Sequence, residues 1–205
     1  MAALTPAQRR LYKAALQLFA DTGVTRVGVS ELAQAAGVAR GTVYNNVSDL
    51  DGLFFEVAGH LSAEMNERIA LVIREVEDPA LRLAYGIRYF TRRAHEDPPW
   101  GRFMCRFALN TASLQEIWTG QPVKDLVEGL EKGRYRFKRE QLISAVAVLT
   151  GAVLGAMLLV LEGRKTWREA GSDAAELVLV ALGIPRDEAG VLAGGELPTL
   201  PPDPL

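Results

Sequence analysis

One apolar segment constrains the fold of this chain more than any other feature. From Leu142 to Leu161, twenty consecutive residues include only two hydroxyl side chains, Ser144 and Thr150, and no charge. Strands rarely exceed about ten residues. A helix of this length measures about 30 Å, which matches the apolar thickness of a membrane. The segment therefore predicts a long helix that other apolar groups cover on more than one side.

Side-chain size divides this helix into two faces. The small residues on one face are Ser144, Ala145, Gly151, Ala152, Gly155 and Ala156. The bulky residues that face the other way are Ile143, Val146, Val153, Leu154, Met157 and Leu158. Small residues let two helices approach closely, in water as well as in lipid. We expect the bulky face to pack on the chain's own core and the small face on a second copy. A membrane anchor and a fully buried core helix are the alternatives.

The rest of the chain also has helical periodicity. Apolar residues recur every three or four positions between Phe54 and Val76, which predicts one long helix from Asp49 to about Glu77. No strand-like alternation occurs, and further helices are expected at about residues 79–96, 99–110, 113–132, 172–182 and 185–192. The fold class is therefore predicted to be all-α. The Pro-rich end, residues 196–205, is expected to be extended and mobile.

A basic module is predicted at the N-terminus. The motif LTPAQ has the capping residues of a helix start, and Gly23 is a suitable stop. Two short helices should follow near residues 29–36 and 40–46, joined through Gly37, as in a helix-turn-helix. Residues 1–47 hold five basic and two acidic residues, a net charge of +3, whereas the whole chain carries −2. This division of charge indicates a local contact with a polyanion.

The segment VGVSELAQAAGVARGTVYNNVSDLDGLF, residues 27–54, closely resembles the DNA-binding region of the TetR family of bacterial transcriptional regulators. The residues that carry the resemblance are Leu32-Ala33, AAGV at 35–38, Arg40-Gly41-Thr42, an aliphatic residue before Tyr44, and Leu53-Phe54. The resemblance implies three N-terminal helices that bind DNA, a helical C-terminal body that holds a ligand, and dimerisation through the last two long helices. We place the domains at residues 1–48 and 49–195, with a tail at 196–205.

The expected DNA interface centres on the second short helix. Arg40 suits a guanine edge and Asn45 an adenine edge, whereas Tyr44 is expected at a phosphate. The complete predicted set is Arg26, Ser30, Ala39, Arg40, Gly41, Thr42, Tyr44, Asn45 and Asn46. The alternative is that Thr42 and Tyr44 only pack and that Arg40 is a solvated charge.

The resemblance also extends the expected dimer interface. The small face of the apolar helix is joined by four residues of the following helix, Ala174, Leu177, Val178 and Ala181. The expected partners are thus a double-stranded DNA operator, a second copy of the chain, and an unidentified small-molecule effector.

Three positions depart from the family's usual pattern. Gly28, Ala39 and Leu50 stand where the family has a threonine, a serine and a lysine. Gly28 can still serve as an N-cap but lacks a hydroxyl group. Losing the lysine removes one phosphate contact, which flattens the salt dependence of DNA binding by about one unit of slope. We therefore expect weaker or redistributed backbone anchoring, with no more than about six phosphate contacts per monomer.

Aromatic residues are frequent between residues 54 and 135, where they line a ligand cavity or simply form the core. The family resemblance places its pocket among the fourth to seventh helices. We predict ligand contacts from Arg88, Trp100, Phe103, Phe107 and Trp118. The expected effector is apolar or aromatic, and Arg88 inside the cavity would favour an anion.

An enzyme is the main alternative from another functional class. The chain has two histidines, His60 and His95, one cysteine, Cys105, and neither a phosphate-binding loop nor a metal-ligand motif. Asp49 and Asp51 fit the start of a helix, where acids offset the helix dipole. One cysteine forms no internal disulfide, and the first ten residues lack an apolar signal core. The sequence predicts a cytoplasmic DNA-binding repressor with no cofactor, metal or membrane attachment.

Overall fold

The computed structural model of the protein describes residues 4–201, apart from the side chains of residues 113 and 116. Eleven α-helices and no strand lie in this range, which confirms the all-α fold. The helices are α1 (Pro6–Thr22), α2 (Val29–Ala36), α3 (Arg40–Asn46), α4 (Leu53–Ile73), α5 (Pro79–Glu96), α6 (Pro98–Phe107), α7 (Ala112–Thr119), α8 (Gln121–Glu131), α9 (Leu142–Leu161), α10 (Trp167–Ala181) and α11 (Arg186–Gly194).

Helices α1 to α3 form an N-terminal bundle. Helix α1 begins with the predicted capping box, in which the Gln8 amide donates to Thr5 Oγ1 at 3.2 Å and the Thr5 amide donates to Gln8 Oε1 at 2.9 Å. It ends at Gly23, and Gly37 makes the turn between α2 and α3 with a φ of 63°. The fully buried Leu32 on α2 joins the bundle to the common core. The predicted helix-turn-helix is therefore present.

Helix α4 begins later than the sequence pattern indicates. Its first residue is Leu53 and its N-cap is Gly52, so the predicted start at Asp49 is wrong. Residues 50–52 instead form a turn that brings the Asp49 carboxylate against Gly52, where a Cβ atom would collide with it. Asp51 is exposed and lies 3.8 Å from Arg26. The helix expected at 113–132 is divided at Gly120 into α7 and α8, within the sequence TGQP, whose glycine and proline favour a break.

Helix α9 is covered on one side only. Leu149, Val153 and Met157 are buried, because α9 packs there against α5, α6, α8 and α10. The opposite side is more apolar than predicted, since Ile143 is 84% exposed and Leu158 is 45% exposed. Both were expected to face the core. Conversely, two residues that were expected at the dimer interface, Ala156 on α9 and Val178 on α10, are buried within the single chain.

The remaining predicted interface residues keep surface in the single chain. Ser144, Gly151, Leu177 and Ala181 are exposed, and the half-buried residues are Ala145, Ala152, Gly155 and Ala174. Helices α9 and α10 pack side by side, so these residues form an apolar surface shared by both helices.

Helix α9 also meets the length and composition criteria for crossing a membrane. The segment Arg139–Leu161 has a mean hydropathy of 2.4 in its most apolar window, and 39% of that window is buried. It is the one such segment among residues 4–201. A core helix meets the same criteria, so length and composition alone do not favour the membrane alternative.

Residues 196–201 follow α11 as an extended segment, which we call the C-terminal strap. The strap lies against the body, where the Tyr89 hydroxyl donates to the Pro198 carbonyl at 2.9 Å and Arg68 Nε donates to the Pro201 carbonyl at 2.9 Å. Its leucines, Leu197 and Leu200, are half-buried against the core. Residues 196–201 of the expected tail thus contact the body, and the rest of the tail, 202–205, lies outside the described residues.

Candidate DNA-binding surface and body cavity

Helix α3 presents its polar side chains to solvent. Val43 anchors the helix in the core at 1% exposure, whereas Tyr44, the next residue, is 70% exposed. Arg40 and Asn45 are also exposed. Within residues 4–201, the side chains of Arg40, Tyr44 and Asn45 make no hydrogen bond or ion pair, because they lie on the side of the helix opposite Val43. The helix therefore exposes a guanidinium (Arg40), a phenol (Tyr44) and an amide (Asn45) whose hydrogen-bonding groups have no partner in the protein.

The flanking predicted residues occupy the same exposed region. Ala39, Gly41 and Ser30 are exposed, and Thr42 is half-buried. Arg26 Nε lies 3.8 Å from Asp51 Oδ1, and both side chains are more than 80% exposed. Because exposed ion pairs are worth little, Arg26 can exchange this partner for a phosphate.

Asn46 differs from the other residues predicted to contact DNA. Its Nδ2 donates to the Thr42 carbonyl at 2.8 Å, and its Oδ1 accepts a long bond from Thr5 Oγ1 at 3.5 Å. These bonds tie the end of α3 to the start of α1. The side-chain amide of Asn46 therefore has hydrogen-bond partners within the N-terminal bundle.

The two unusual positions that flank this surface have local structural roles. Gly28 is the N-cap of α2, and its amide donates to Glu31 Oε2 at 3.4 Å, so the first turn keeps one of its capping bonds. Leu50 is half-buried and packs on the core. It provides no cation toward the solvent beside α3.

The body touches the N-terminal bundle through α4 and α6. The Tyr12 hydroxyl donates to Glu56 at 2.8 Å, and burial together with this carboxylate raises the pKa of Tyr12 to about 12. Arg106 Nη1 on α6 donates to the Ala20 carbonyl at 3.2 Å, and Arg102 pairs with Asp21 at 3.2 Å. Movement of α6 would therefore act directly on the end of α1.

Aromatic side chains fill this junction. The ring centroids of Phe54 and Phe107 lie 4.9 Å apart, those of Phe19 and Phe54 5.2 Å, and those of Phe103 and Phe107 5.1 Å. Phe103 and Phe107, predicted as ligand contacts, thus join α6 to α1 and α4 as core residues.

A small cavity lies inside the body among α4, α5, α7, α8 and α9. Its volume is about 60 Å³, and its lining includes Phe90, Trp118, Gln121, Arg82 and Asp125. The Nε1 atom of Trp118 is buried and has no hydrogen-bond partner among the described residues. The cavity therefore has aromatic walls, and one of the side chains that line it carries a buried donor without a partner.

Arg82 supplies the fixed charge of this cavity. Its Nε donates to Asp125 at 2.6 Å, Nη1 donates to the Val76 carbonyl at 2.8 Å, and Nη2 pairs with Glu128. Burial by itself lowers the pKa of Arg82, but the bonds to Asp125 and Glu128 outweigh burial and raise it. Arg82 was not among the residues predicted from the sequence, although it shares a helix face with Gly86 and Phe90 at a spacing of four residues.

The structure brings one of the five predicted ligand residues, Trp118, to this cavity. Trp100 is fully buried beside it, with its ring centroid 5.6 Å from that of Phe90 and the two rings tilted by 49°. Phe103 and Phe107 lie in the junction. Arg88 is buried on α5 but is not part of the lining.

A second, larger cavity of about 500 Å³ runs alongside α1. Its floor includes the buried Leu16 and Leu61, and its rim includes the exposed Arg9, Arg10 and Lys13. It separates the outer side of α1 from α4 and from the start of α6.

Comparison with known families identifies both parts of the chain. Residues 11–57 match the model for bacterial regulatory proteins of the tetR family. Residues 78–194, more than half of the chain, match the model for the tetracyclin repressor-like C-terminal domain. The chain belongs to the TetR family. It is a TetR-family transcriptional regulator, and the membrane-anchored alternative has no support. A comparison with curated protein sequences finds no match.

Several solved structures resemble most of the chain. RolR in complex with resorcinol shares 27% sequence identity, with a TM-score of 0.70 over 95% of this chain and 96% of RolR. FadR from Bacillus halodurans shares 20% identity, with a TM-score of 0.71 over 90% of this chain and 100% of that one. FadR from Bacillus subtilis in complex with stearoyl-CoA shares 19% identity, with a TM-score of 0.69 over 83% and 97%. The two FadR likenesses establish the fold alone.

Proposed function

We propose that this TetR-family regulator is a homodimeric cytoplasmic repressor, with a DNA-binding domain at 1–48 and a regulatory domain at 49–195. Its operator is a roughly palindromic duplex that presents one half-site to each α3. The observation that carries the proposal is the unpartnered, solvent-facing trio of Arg40, Tyr44 and Asn45 on a helix anchored by Val43.

Each exposed group of the trio suits a different part of DNA. The Arg40 guanidinium matches the two acceptors of guanine, and the Asn45 amide matches adenine, in each case through two parallel hydrogen bonds. Tyr44, together with Arg26 and Ser30, contacts phosphates and sets the register. Ala39, Gly41 and Thr42 allow the close approach of α3 to the groove. Asn46 supports α3 from inside the bundle rather than reaching the backbone.

The second copy covers the apolar surface of α9 and α10. In the single chain, Ile143, Val148 and Leu177 are all more than half exposed on these adjacent helices. Contiguous exposed apolar surface of this kind is typical of an interface. Gly151 and Gly155 have no atoms within 4 Å of an added Cβ, so a partner helix can approach them closely.

The body cavity suits a small aromatic ligand with hydroxyl groups. RolR, which is similar to 95% of this chain, has been solved in complex with resorcinol. The cavity offers Phe90 and Trp118 as aromatic walls and Trp118 Nε1 as an unused donor. At about 60 Å³ it holds the equivalent of about two water molecules, so a ligand must widen it.

Widening the cavity would act on α1 through aromatic contacts. Trp118 lies 5.5 Å from Phe90, and Phe90 lies 5.6 Å from Trp100 on α6, the helix that carries Arg106. A ligand releases the operator only if it binds one arrangement of these helices better than the other. Displacement of Trp100 by the ligand provides that difference.

Selection from random-sequence duplexes tests the DNA-binding proposal. Purified wild-type protein should enrich a palindromic motif, and that motif should bind at least about 1,000-fold more tightly than a scrambled duplex. Enrichment of no motif would contradict it. The effector proposal is tested on the same operator with resorcinol, which should release wild-type protein. Release should weaken in Trp118→Phe and remain in the control Trp167→Phe, a half-buried tryptophan outside the cavity lining.

A further inference from the structure

The buried arginines of this protein differ in their partners. Arg82 is paired with Asp125 and Glu128, and Arg93 lies within 4 Å of Glu64 and Asp97. Arg88, at 6% exposure, has no ion pair or hydrogen bond within residues 4–201. Its Nε and Nη1 atoms are both buried without a partner.

Arg88 lies at the seam between α5 and α10. Gly171 of α10 comes so close that an added Cβ would be 3.3 Å from Arg88 Cα and 3.4 Å from its Cγ. Burial lowers the pKa of Arg88, and the nearby phenols of Tyr85 and Tyr89 only partly oppose this shift. The Tyr89 hydroxyl is in turn tied to Pro198 of the C-terminal strap. Among residues 4–201, the groups around Arg88 therefore include phenols, and no carboxylate lies within ion-pair distance of its guanidinium.

An ionised group in this position is costly unless something neutralises it. Buried polar groups without protein partners in native proteins call for an ion, a ligand or water. A guanidinium matches a carboxylate through two parallel charge-assisted hydrogen bonds. The neighbouring cation, Arg92, is already paired with Glu96 at 2.7 Å. One unpaired positive charge suits one negative charge, which favours a carboxylate over a doubly charged phosphate.

We propose that Arg88 is the anion-binding residue of a second small-molecule site, at the seam of α5 and α10 beside the C-terminal strap, and that its ligand is an organic monocarboxylate. The phenol rings of Tyr85 and Tyr89 provide an aromatic surface for the ligand's body. The site is separate from the body cavity, whose lining on α5 comprises Arg82, Leu83, Gly86, Ile87 and Phe90. Binding of a carboxylate at this site does not depend on operator binding. A negative result for one of these two proposals therefore leaves the other untouched.

Thermal unfolding with a charged ligand and its neutral analogue tests the site. Sodium benzoate should raise the Tm of the full-length protein in a concentration-dependent manner, by about 4 °C or more near saturation. Benzamide, which has the same shape without the charge, and sodium chloride at equal ionic strength should not. Sodium acetate and sodium octanoate extend the series to smaller and longer carboxylates. If none of the three carboxylates raises the Tm above the chloride control, the proposal is wrong.

Two variants separate binding from a structural role. Arg88→Met removes the unpaired charge, so it should raise the Tm of the ligand-free protein by about 2 °C or more and abolish the carboxylate response. The matched control Arg92→Met removes the adjacent cation and should keep that response. A lower Tm for ligand-free Arg88→Met, or a retained response, would overturn the proposal. Arg88→Lys keeps the positive charge but loses the planar guanidinium that makes two parallel hydrogen bonds. It should therefore weaken benzoate binding about tenfold or more.

Discussion

Arg106 on helix α6 donates a hydrogen bond from Nη1 to the carbonyl oxygen of Ala20, in the last turn of helix α1, at 3.2 Å. Carbonyls at a helix end lack intrahelical partners, and a cation there also complements the helix dipole. The bond fixes the body against the N-terminal bundle three residues before Gly23, the C-cap. Gly23 has a φ of 76°, and an added Cβ would lie 2.6 Å from Arg106 Nη1.

Gly23→Ala should therefore destabilise the protein for two separate reasons. The left-handed conformation alone costs an alanine about 1–2 kcal/mol, and the methyl group also displaces Arg106. Gly37→Ala is the matched control, because Gly37 has a φ of 63° but no atom within 4 Å of an added Cβ. Urea denaturation should show a loss about 1 kcal/mol larger for Gly23→Ala than for Gly37→Ala. Equal losses would mean that the Arg106 contact contributes nothing.

Asp78 should make stability depend on pH in the acid range. Its carboxylate caps α5 through the Ala80 amide and accepts two bonds from Arg134, at 3.1 and 2.7 Å. Burial opposes ionisation, but the Arg134 bonds and the cap outweigh it and lower the pKa of Asp78 from 3.8. The resulting stabilisation is complete well above pH 4 and is lost as the pH falls through the lowered pKa of the folded state.

Asp78→Asn isolates this contribution. At pH 7 the variant should be less stable than wild type by about 1–2 kcal/mol, from the weakened cap and the lost charge. The difference in unfolding free energy should shrink as the pH is lowered below about 4. A difference that stays constant down to pH 2 would show that the Asp78 charge does not stabilise the fold.

Leu177→Glu should disrupt the dimer while leaving the subunit folded. Leu177 on α10 is 60% exposed in the single chain, so a charge there is solvated in the monomer and buried only against a second copy. Leu71→Glu is the matched control, since Leu71 is 63% exposed on α4, away from the α9 and α10 surface. Sedimentation velocity should give a monomer for Leu177→Glu and a dimer for Leu71→Glu. If both variants sediment as dimers, the proposed interface is wrong.

Leu50→Lys should steepen the salt dependence of operator binding. Leu50 is half-buried next to α3 and supplies no cation, and a lysine can keep its stem packed while its ammonium reaches out. One added phosphate contact per monomer should increase the slope of log K against log salt by about two per dimer. Anisotropy titrations at several salt concentrations measure the slope. An unchanged slope would show that residue 50 does not face the DNA backbone.

Local signals in the sequence predict most of this fold correctly. The Thr5 capping box, the Gly23 stop and the Gly37 turn each depend on neighbouring residues alone, and the structure confirms all three. The predicted start of α4 is wrong because Asp49 and Asp51 have the residue type that suits a helix start, whereas the backbone turns until Gly52. Residue type alone does not distinguish the turn before a helix from the first turn of the helix.

The candidate sites show the same limit. The polar residues of α3 follow from a motif of contiguous residues, so their placement on one exposed face was predictable. The positions of the ligand residues depend on tertiary packing. Phe103 and Phe107 join three helices in the core. Arg82 is held at the cavity by its ion pair with Asp125, which lies 43 residues away in the sequence. No single-sequence pattern distinguishes a buried arginine with a carboxylate partner from one without, as with Arg82 and Arg88.

The central claim is that α3 reads sequence through Arg40, and the ratio of specific to non-specific affinity tests it most directly. The Kd for the selected operator and for a scrambled duplex should be measured for wild type, Arg40→Ala and Arg26→Ala. We predict that Arg40→Ala lowers operator affinity by about 10-fold to 100-fold with a smaller effect on the scrambled duplex. Arg26→Ala should weaken both duplexes equally. An equal loss on both duplexes for Arg40→Ala would contradict the claim.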